Sequence, residues 1–275
     1  MMIHVLVDNE SASADIKSEH GLSLLLELEE RKILFDFGQG DQFAVNADLM
    51  GADLSSVDYA ILSHGHYDHG GGLNHFLKIN PTAPIYIREN ASEQYYAKRE
   101  GDVMEYIGLP SIDNDERLIL TGMEHQIEEG ITLFSVPPNP GFEPSGNRVL
   151  FEKHEDGRFT PDAFMHEQNL LINREGVTVL VTGCAHRGII NILEWVRKKY
   201  GIIPQNVIGG FHLRHVLDDE ETEAEAIRGI AEYLCETGAK YYTGHCTGFE
   251  PYKKLKEIMR EHIEYAGAGS ILAIT

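Results

Sequence analysis

Short apolar runs separated by polar turns make up most of this chain. Residues 3–7 are an apolar run of strand length, and the polar residues 9–20 that follow read as loop. Residues 22–28 are a second apolar run. Glu29-Glu30-Arg31-Lys32 then reads as a hairpin tip, and residues 33–38 return as a third strand. Asp41 is placed to cap an amphipathic helix running to about Met50. Residues 57–62 make the next strand, residues 72–77 open a helix, and residues 85–87 are strand again. Strands alternating with helices in this way predict an α/β fold.

Further along, residues 118–121, 124–127 and 131–136 read as meandering strands, and residues 169–173 and 177–181 as a strand pair. Three strands in succession then end in glycine and histidine and turn into a helix. The first ends in Thr182-Gly183-Cys184-Ala185-His186, before a helix over 189–199. The second ends in Gly209-Gly210-Phe211-His212, before an acidic helix over 220–236. The third ends in Thr243-Gly244-His245-Cys246, before a helix to about residue 262. The carboxyl ends of strands are where α/β folds build their sites. Residues 88–112 break the rhythm: they carry Tyr95, Tyr96 and Tyr106 but few periodic aliphatics. Such an excursion is a surface helix or a lid over a binding site. Its Arg88, Lys98 and Arg99 suit an anionic substrate. No linker divides the chain, so one domain over residues 1–275 is expected.

The densest chemistry lies in Ser63-His64-Gly65-His66-Tyr67-Asp68-His69-Gly70. Neutral imidazole and carboxylate are the usual ligands of zinc, iron and manganese. On an extended backbone His64 and His66 point the same way. Asp68 and His69, being adjacent, diverge and can serve a second ion. The spacing therefore suggests two metal ions. Asp36, flanked by Phe35 and Phe37, is a carboxylate that needs a partner if buried. It either caps the next helix or holds the metal loop. His186 and His245, at glycine-flanked strand ends, are further ligand candidates. His212 in the same context is either a ligand or a substrate contact. Cys184 is a candidate thiolate ligand or a packing residue, and Cys246 and Cys235 read as packing. His166, before Glu167 and Gln168, is a weaker candidate. His4, His20, His125, His154 and His262 stand outside any cluster.

Charge narrows the partners. With 44 acidic against 23 basic residues the net charge is −21. Such a surface repels phosphodiester backbones and anionic membranes, so neither nucleic acid nor membrane is an expected partner. Three cysteines make no disulfide framework and fit a reducing compartment. The amino terminus has no basic stretch, and no run approaches the ~20 apolar residues of a membrane span. A cytoplasmic protein with a small-molecule substrate is expected, and homodimerisation remains open.

His64-x-His66-x-Asp68-His69 resembles the signature of the metallo-β-lactamase superfamily. The resemblance implies an αββα four-layer sandwich along nearly the whole chain. It implies Asp36 as the family's buried aspartate and His245 as the final histidine ligand. Two positions depart from the pattern. No histidine follows Ser135-Val136-Pro137-Pro138, and Thr182-Gly183 precedes Cys184 where many members carry a bridging aspartate. His186 is the expected replacement ligand. Gly183-Cys184-x-His186-x-Gly188, Gly210-Phe211-His212-Leu213 and His245-Cys246-Thr247-Gly248 together are similar to the dihydropterin–ribofuranosylaminobenzene phosphate synthase-like subgroup.

Three functions are compatible with these residues. The first is a binuclear hydrolase of a small ester, thioester or phosphoester. It would use two divalent ions, most simply zinc, with iron or manganese as alternatives. A bound divalent cation brings the pKa of water toward neutrality, so hydroxide would be the nucleophile. Asp68 would orient it or take its proton, and His212 would donate to the leaving group. The second is a pterin-condensing synthase that makes a C–C bond and releases diphosphate. The third is a metabolite-binding protein with a retained metal site. No G-x-S-x-G, P-loop or G-x-G-x-x-G behind a strand offers a rival chemistry.

Overall fold

In a computed structural model of the chain, residues 1–112, 115–138, 141–174, 176–213 and 220–275 are described. Contacts group them into two compact units that interleave in the sequence. Met1–Gly122, Phe151–Thr160 and Ala266–Thr275 form the first, and Met123–Leu150 and Pro161–Tyr265 the second.

The first unit is organised by a seven-stranded sheet. Its strands run in the order Ile271–Ala273, Met2–Val7, Ser23–Glu27, Lys32–Phe35, Tyr59–Ile61, Ile85–Arg88 and Leu118–Thr121. The first four pair antiparallel and the last four parallel. Phe35 pairs with Ile61, so the residues that follow, Asp36 and the metal loop, leave the sheet side by side at its carboxyl edge. One core cluster joins Leu25, Leu34, Leu62 and Ile85 of the sheet to Phe37, Phe43, Leu73 and Phe76 of the loops and helices over it. Each such side chain, once fully buried, contributes roughly 1.5–3 kcal/mol of transfer free energy.

Two local expectations change. Asp41 is the N-cap of the Gln42–Leu49 helix, but its carboxylate makes no capping hydrogen bond. Its backbone is already helical (φ −94°, ψ 0°), whereas a side-chain cap needs an extended residue. Nor is this helix cleanly amphipathic, since Val45 and Leu49 are exposed. Residues 88–112, expected as helix or lid, instead supply strands Tyr95–Lys98 and Met104–Tyr106. These join Leu150–Lys153 and Phe159–Pro161 in a small four-stranded sheet. The cations there are already engaged. Arg88 is buried and donates to the Thr121 carbonyl, Lys98 pairs with Asp102 at 2.5 Å and Arg99 with Glu105 at 2.5 Å.

The second unit is built on another seven-stranded sheet. Its order is Ile263–Tyr265, Lys240–Thr243, Asn206–Gly209, Val177–Val181, Asn169–Arg174, Ile131–Phe134 and Glu124–Glu128. The first four strands are parallel. Parallel neighbours need crossovers, and helices Ile189–Tyr200, Glu220–Thr237 and Phe249–Met259 supply them. In the first of these Ile189, Ile192, Leu193 and Val196 are buried, the i, i+3, i+4, i+7 stripe of a helix laid on a core. Gly201 then ends it in the left-handed region at φ 69°. Ile227, Ile230, Ala231 and Leu234 repeat the stripe in the second helix, and the two stripes share one core cluster. Three parallel strands thus deliver three loops to one carboxyl edge: the loops of Cys184 and His186, of His212, and of His245.

Candidate metal centre

In the first unit the metal loop leaves the Tyr59–Ile61 strand and turns into a single helical turn, Tyr67–Gly70. His66 is still extended (φ −97°, ψ 148°). The rings of His64 and His66 approach to 4.6 Å between centroids, and those of His64 and His69 to 4.1 Å. Asp68 and His69 do not diverge as an extended loop would require: Asp68 Oδ2 lies 3.8 Å from His69 Nε2. On a helical turn successive side chains stand about 100° apart, which lets neighbours converge. His20, expected to stand alone, places Nε2 3.4 Å from Asp68 Oδ2. All four motif side chains are buried or nearly so.

Asp36 holds this loop. Its Oδ1 accepts the Ser63 backbone N–H at 2.7 Å, and its Oδ2 accepts the Ser63 hydroxyl at 2.7 Å and His69 Nδ1 at 2.6 Å. The Ser63 hydroxyl has spent its proton on Asp36, so at 2.8 Å it accepts from His64 Nδ1. Both imidazoles therefore carry their proton on Nδ1 and present the Nε2 lone pair, the state a metal ligand requires. Asp36 adopts φ 62°, a left-handed conformation that costs a non-glycine residue roughly 1–3 kcal/mol. Glycine is needed beneath the loop. A Cβ on Gly72 would sit 2.3 Å from the carbonyl oxygens of Phe37 and Gly40.

In the second unit the three strand-end loops bring together Cys184, His186, His212, His245 and Cys246. Donor atoms of Cys184, His186 and His212 lie within 4.8 Å of one another, as do those of Cys184, His245 and Cys246. Cys246, expected as packing, thus joins the group. Burial opposes its thiolate, but Cys184 and the imidazoles of His212 and His245 outweigh burial and bring the thiol well below its ordinary range. All three cysteines are free thiols. Neither ring nitrogen of His212 has a hydrogen-bond partner among the described residues, although both are buried. The residue is only half-buried, but with both nitrogens shielded and the Cys246 thiol beside it, its imidazole suits a ligand. Ala185, His212 and His245 all take positive φ, at 55°, 50° and 48°. Strain of this kind at adjacent candidate ligands marks a built site rather than a chance cluster.

The loops are tied to one another by hydroxyls. Thr247 Oγ1 accepts the Phe211 N–H at 2.9 Å, and Thr243 Oγ1 donates to the Gly209 carbonyl at 2.9 Å. The residues that hold His186 carry no motif in the sequence. Glu167 accepts the backbone N–H groups of His186 and Arg187 at 2.6 and 3.0 Å. Burial pushes its carboxyl up against the lowering effect of those two bonds. Phe164 stacks on the His186 ring at 4.4 Å and 6°. His166, the weaker candidate, is buried on Asp162 at 3.0 Å, a structural pairing. An acidic residue, Glu167, just ahead of the Asn169–Arg174 strand, whose first four residues are buried, was the available signal.

Imidazole, carboxylate and thiolate donors of this kind fit divalent transition metals. The fold and these residues define a class. Residues 18–237 match the family model of the Metallo-beta-lactamase superfamily, and the chain belongs to that superfamily. Its fold is accordingly the metallo-β-lactamase fold. Among its relatives is 7,8-dihydropterin-6-methyl-4-(beta-D-ribofuranosyl)-aminobenzene-5'-phosphate synthase of Methanocaldococcus jannaschii. The two are 32% identical over 270 residues, 93% of this chain and 90% of the synthase. The uncharacterized protein MJ0448 of the same organism is 29% identical over 99% of this chain and 100% of its own length. The crystal structure of Tm1679, described as a metal-dependent hydrolase of the beta-lactamase superfamily, matches with a TM-score of 0.82. It is 30% identical, and the match covers 100% of this chain and 99% of that one. Among the described residues no helix is long and apolar enough to cross a membrane.

Proposed function

We propose that this protein is a metal-dependent condensing enzyme that joins a dihydropterin to an aminobenzene carrying a ribofuranosyl phosphate. The observation that carries the reading is the 32% identity to the synthase along nearly the full length of both chains. The strand-end motifs around His186, His212 and His245 support it.

The proposed ligands of two divalent ions are His64, His66, Asp68, His69, His186 and His245, with Cys184 as an added donor. Zinc is the simplest choice, with iron or manganese as alternatives. Bound there, divalent cations would offset the charge of a departing diphosphate. The chain's own groups do the rest. In an acceptor of this kind the aromatic amine carries the most available lone pair. The bond proposed is therefore C–N, where the sequence reading expected C–C. The amine nitrogen attacks the pterin methylene, the C–O bond to diphosphate breaks, and Asp68 takes the proton the amine loses. His212, whose nitrogens have no partner among the described residues, donates a hydrogen bond to the leaving phosphate oxygen. Asp36 and Ser63 keep His64 and His69 oriented throughout.

A second reading, hydrolysis of a small ester, thioester or phosphoester through the same residues, is favoured by the description of Tm1679. One assay separates the two. Metal-loaded protein is incubated with a dihydropterin-methyl diphosphate and the aminobenzene ribofuranosyl phosphate, and products are followed by mass spectrometry. Condensation yields coupled product and diphosphate in equal amounts. Diphosphate release that leaves the amine unconsumed points instead to the hydrolase. Neither product at any metal loading contradicts both.

A further inference from the structure

The geometry points to Asn147 as a positioning residue that sets the tautomer of His186, and we propose that it does so to present Nε2 as a donor. The inference rests on the proposed role of His186 as a metal ligand, but its first test does not. Asn147 lies on the short 3-10 turn Ser145–Val149, an irregular stretch that carries no signature of its own. Its side chain makes two bonds to the same residue. Nδ2 donates to the His186 backbone carbonyl at 2.7 Å, and Oδ1 lies 3.1 Å from His186 Nδ1.

The first bond fixes the meaning of the second. An amide can donate only through its nitrogen, so the carbonyl bond places Nδ2 on the backbone side and turns Oδ1 toward the ring. Oδ1 only accepts, so His186 Nδ1 must carry the proton. Nε2 is then left with its lone pair. The remaining freedom of the residue is removed from two other sides. Glu167 holds its backbone N–H, and Phe164 covers one ring face at 4.4 Å with the planes nearly parallel. The ring is thus fixed in position by packing and in protonation by one amide. The same end is reached in the first unit by different means: a serine hydroxyl sets His64 and a carboxylate sets His69. The amide lacks the charge of the carboxylate and, once its nitrogen is committed to the carbonyl, the hydroxyl's choice of role. In the neutral ring it holds the proton on Nδ1.

The test reads the tautomer directly. Long-range ¹H–¹⁵N spectra of the metal-free, ¹⁵N-labelled full chain report which nitrogen of each imidazole carries the proton, and His186→Gln identifies the His186 signals. The expected result is an Nδ1-protonated His186 in the wild type. Asn147→Leu should shift it toward the Nε2-protonated form, and Asn147→Asp, which keeps an acceptor, should retain Nδ1. An Nε2-protonated wild type, or a tautomer unchanged by Asn147→Leu, overturns the inference. Thermal unfolding and the signals of His64 and His69 serve as the fold control, and Asn147→Ala is the second variant if the leucine does not fold. Metal titration then addresses the ligand role. Asn147→Leu should weaken zinc binding about 10–100-fold, the usual effect of losing a partner of a ligating histidine. If His186→Ala binds zinc as the wild type does, the ligand reading fails while the tautomer result stands.

Discussion

Asp36 ties together the backbone, a hydroxyl and an imidazole of the metal loop. It is fully buried and left-handed, and it satisfies one backbone N–H, one hydroxyl and one imidazole. Replacing it with alanine strands all three donors, each at about 1–3 kcal/mol. Partial relaxation should leave a net loss of roughly 2–5 kcal/mol in the metal-free protein, measured by urea unfolding. Ser63→Ala, which removes only the hydroxyl relay, should cost about 1 kcal/mol. At this scale the sequence is legible where chemistry clusters. His64, His66, Asp68 and His69 stand within six residues, and Asp36 is betrayed by its aromatic flanks. Asn147 and Glu167 are not legible, because each acts on a residue 39 or 19 positions away through one or two hydrogen bonds.

Among elements, strands such as Met2–Val7, Ser23–Glu27 and Val177–Val181 were readable because each is an apolar run bounded by glycine or charge. The pair Tyr95–Lys98 and Met104–Tyr106 was not, because the two runs are short and the strand that extends their sheet, Leu150–Lys153, lies some 50 residues later. The strand-end loops depend on close approach. A Cβ on Gly210 would lie 2.3 Å from Cys246 Sγ, so Gly210→Ala should cost about 1–3 kcal/mol and lower metal affinity. Differential scanning and zinc titration of that variant check both effects. The turn leading into Leu118–Thr121 carries an acid-sensitive contribution. The Arg117 side chain and backbone N–H bond the Asp115 carboxylate and bring its pKa from 3.8 to about 2. A depressed carboxylate stabilises the fold above its unfolded value and loses that stabilisation as pH falls through the folded one. Between about pH 4 and 2 the stability of Asp115→Asn should therefore fall less steeply than that of the wild type. Parallel curves would deny the pair that role.

For the whole molecule, the interleaving of two units is the feature the sequence hid. The last strand, Ile271–Ala273, pairs with Met2–Val7 across almost the entire chain, a contact no local pattern can announce. The resemblance carried the fold where periodicity could not, because the histidine motif is confined to one loop while the fold needs all of it. The proposed metals bind the folded chain, so they should stabilise it by mass action, about 2.7 kcal/mol at a free concentration of 100 Kd. A chelator should lower the Tm by several degrees and added zinc restore it. The most direct test of the account is metal content by elemental analysis of the wild type and of His64→Ala, His186→Ala and His245→Ala. The account predicts two divalent ions per chain in the wild type and loss of at least one in each variant. A wild type without bound metal, or variants that keep both ions, would contradict it.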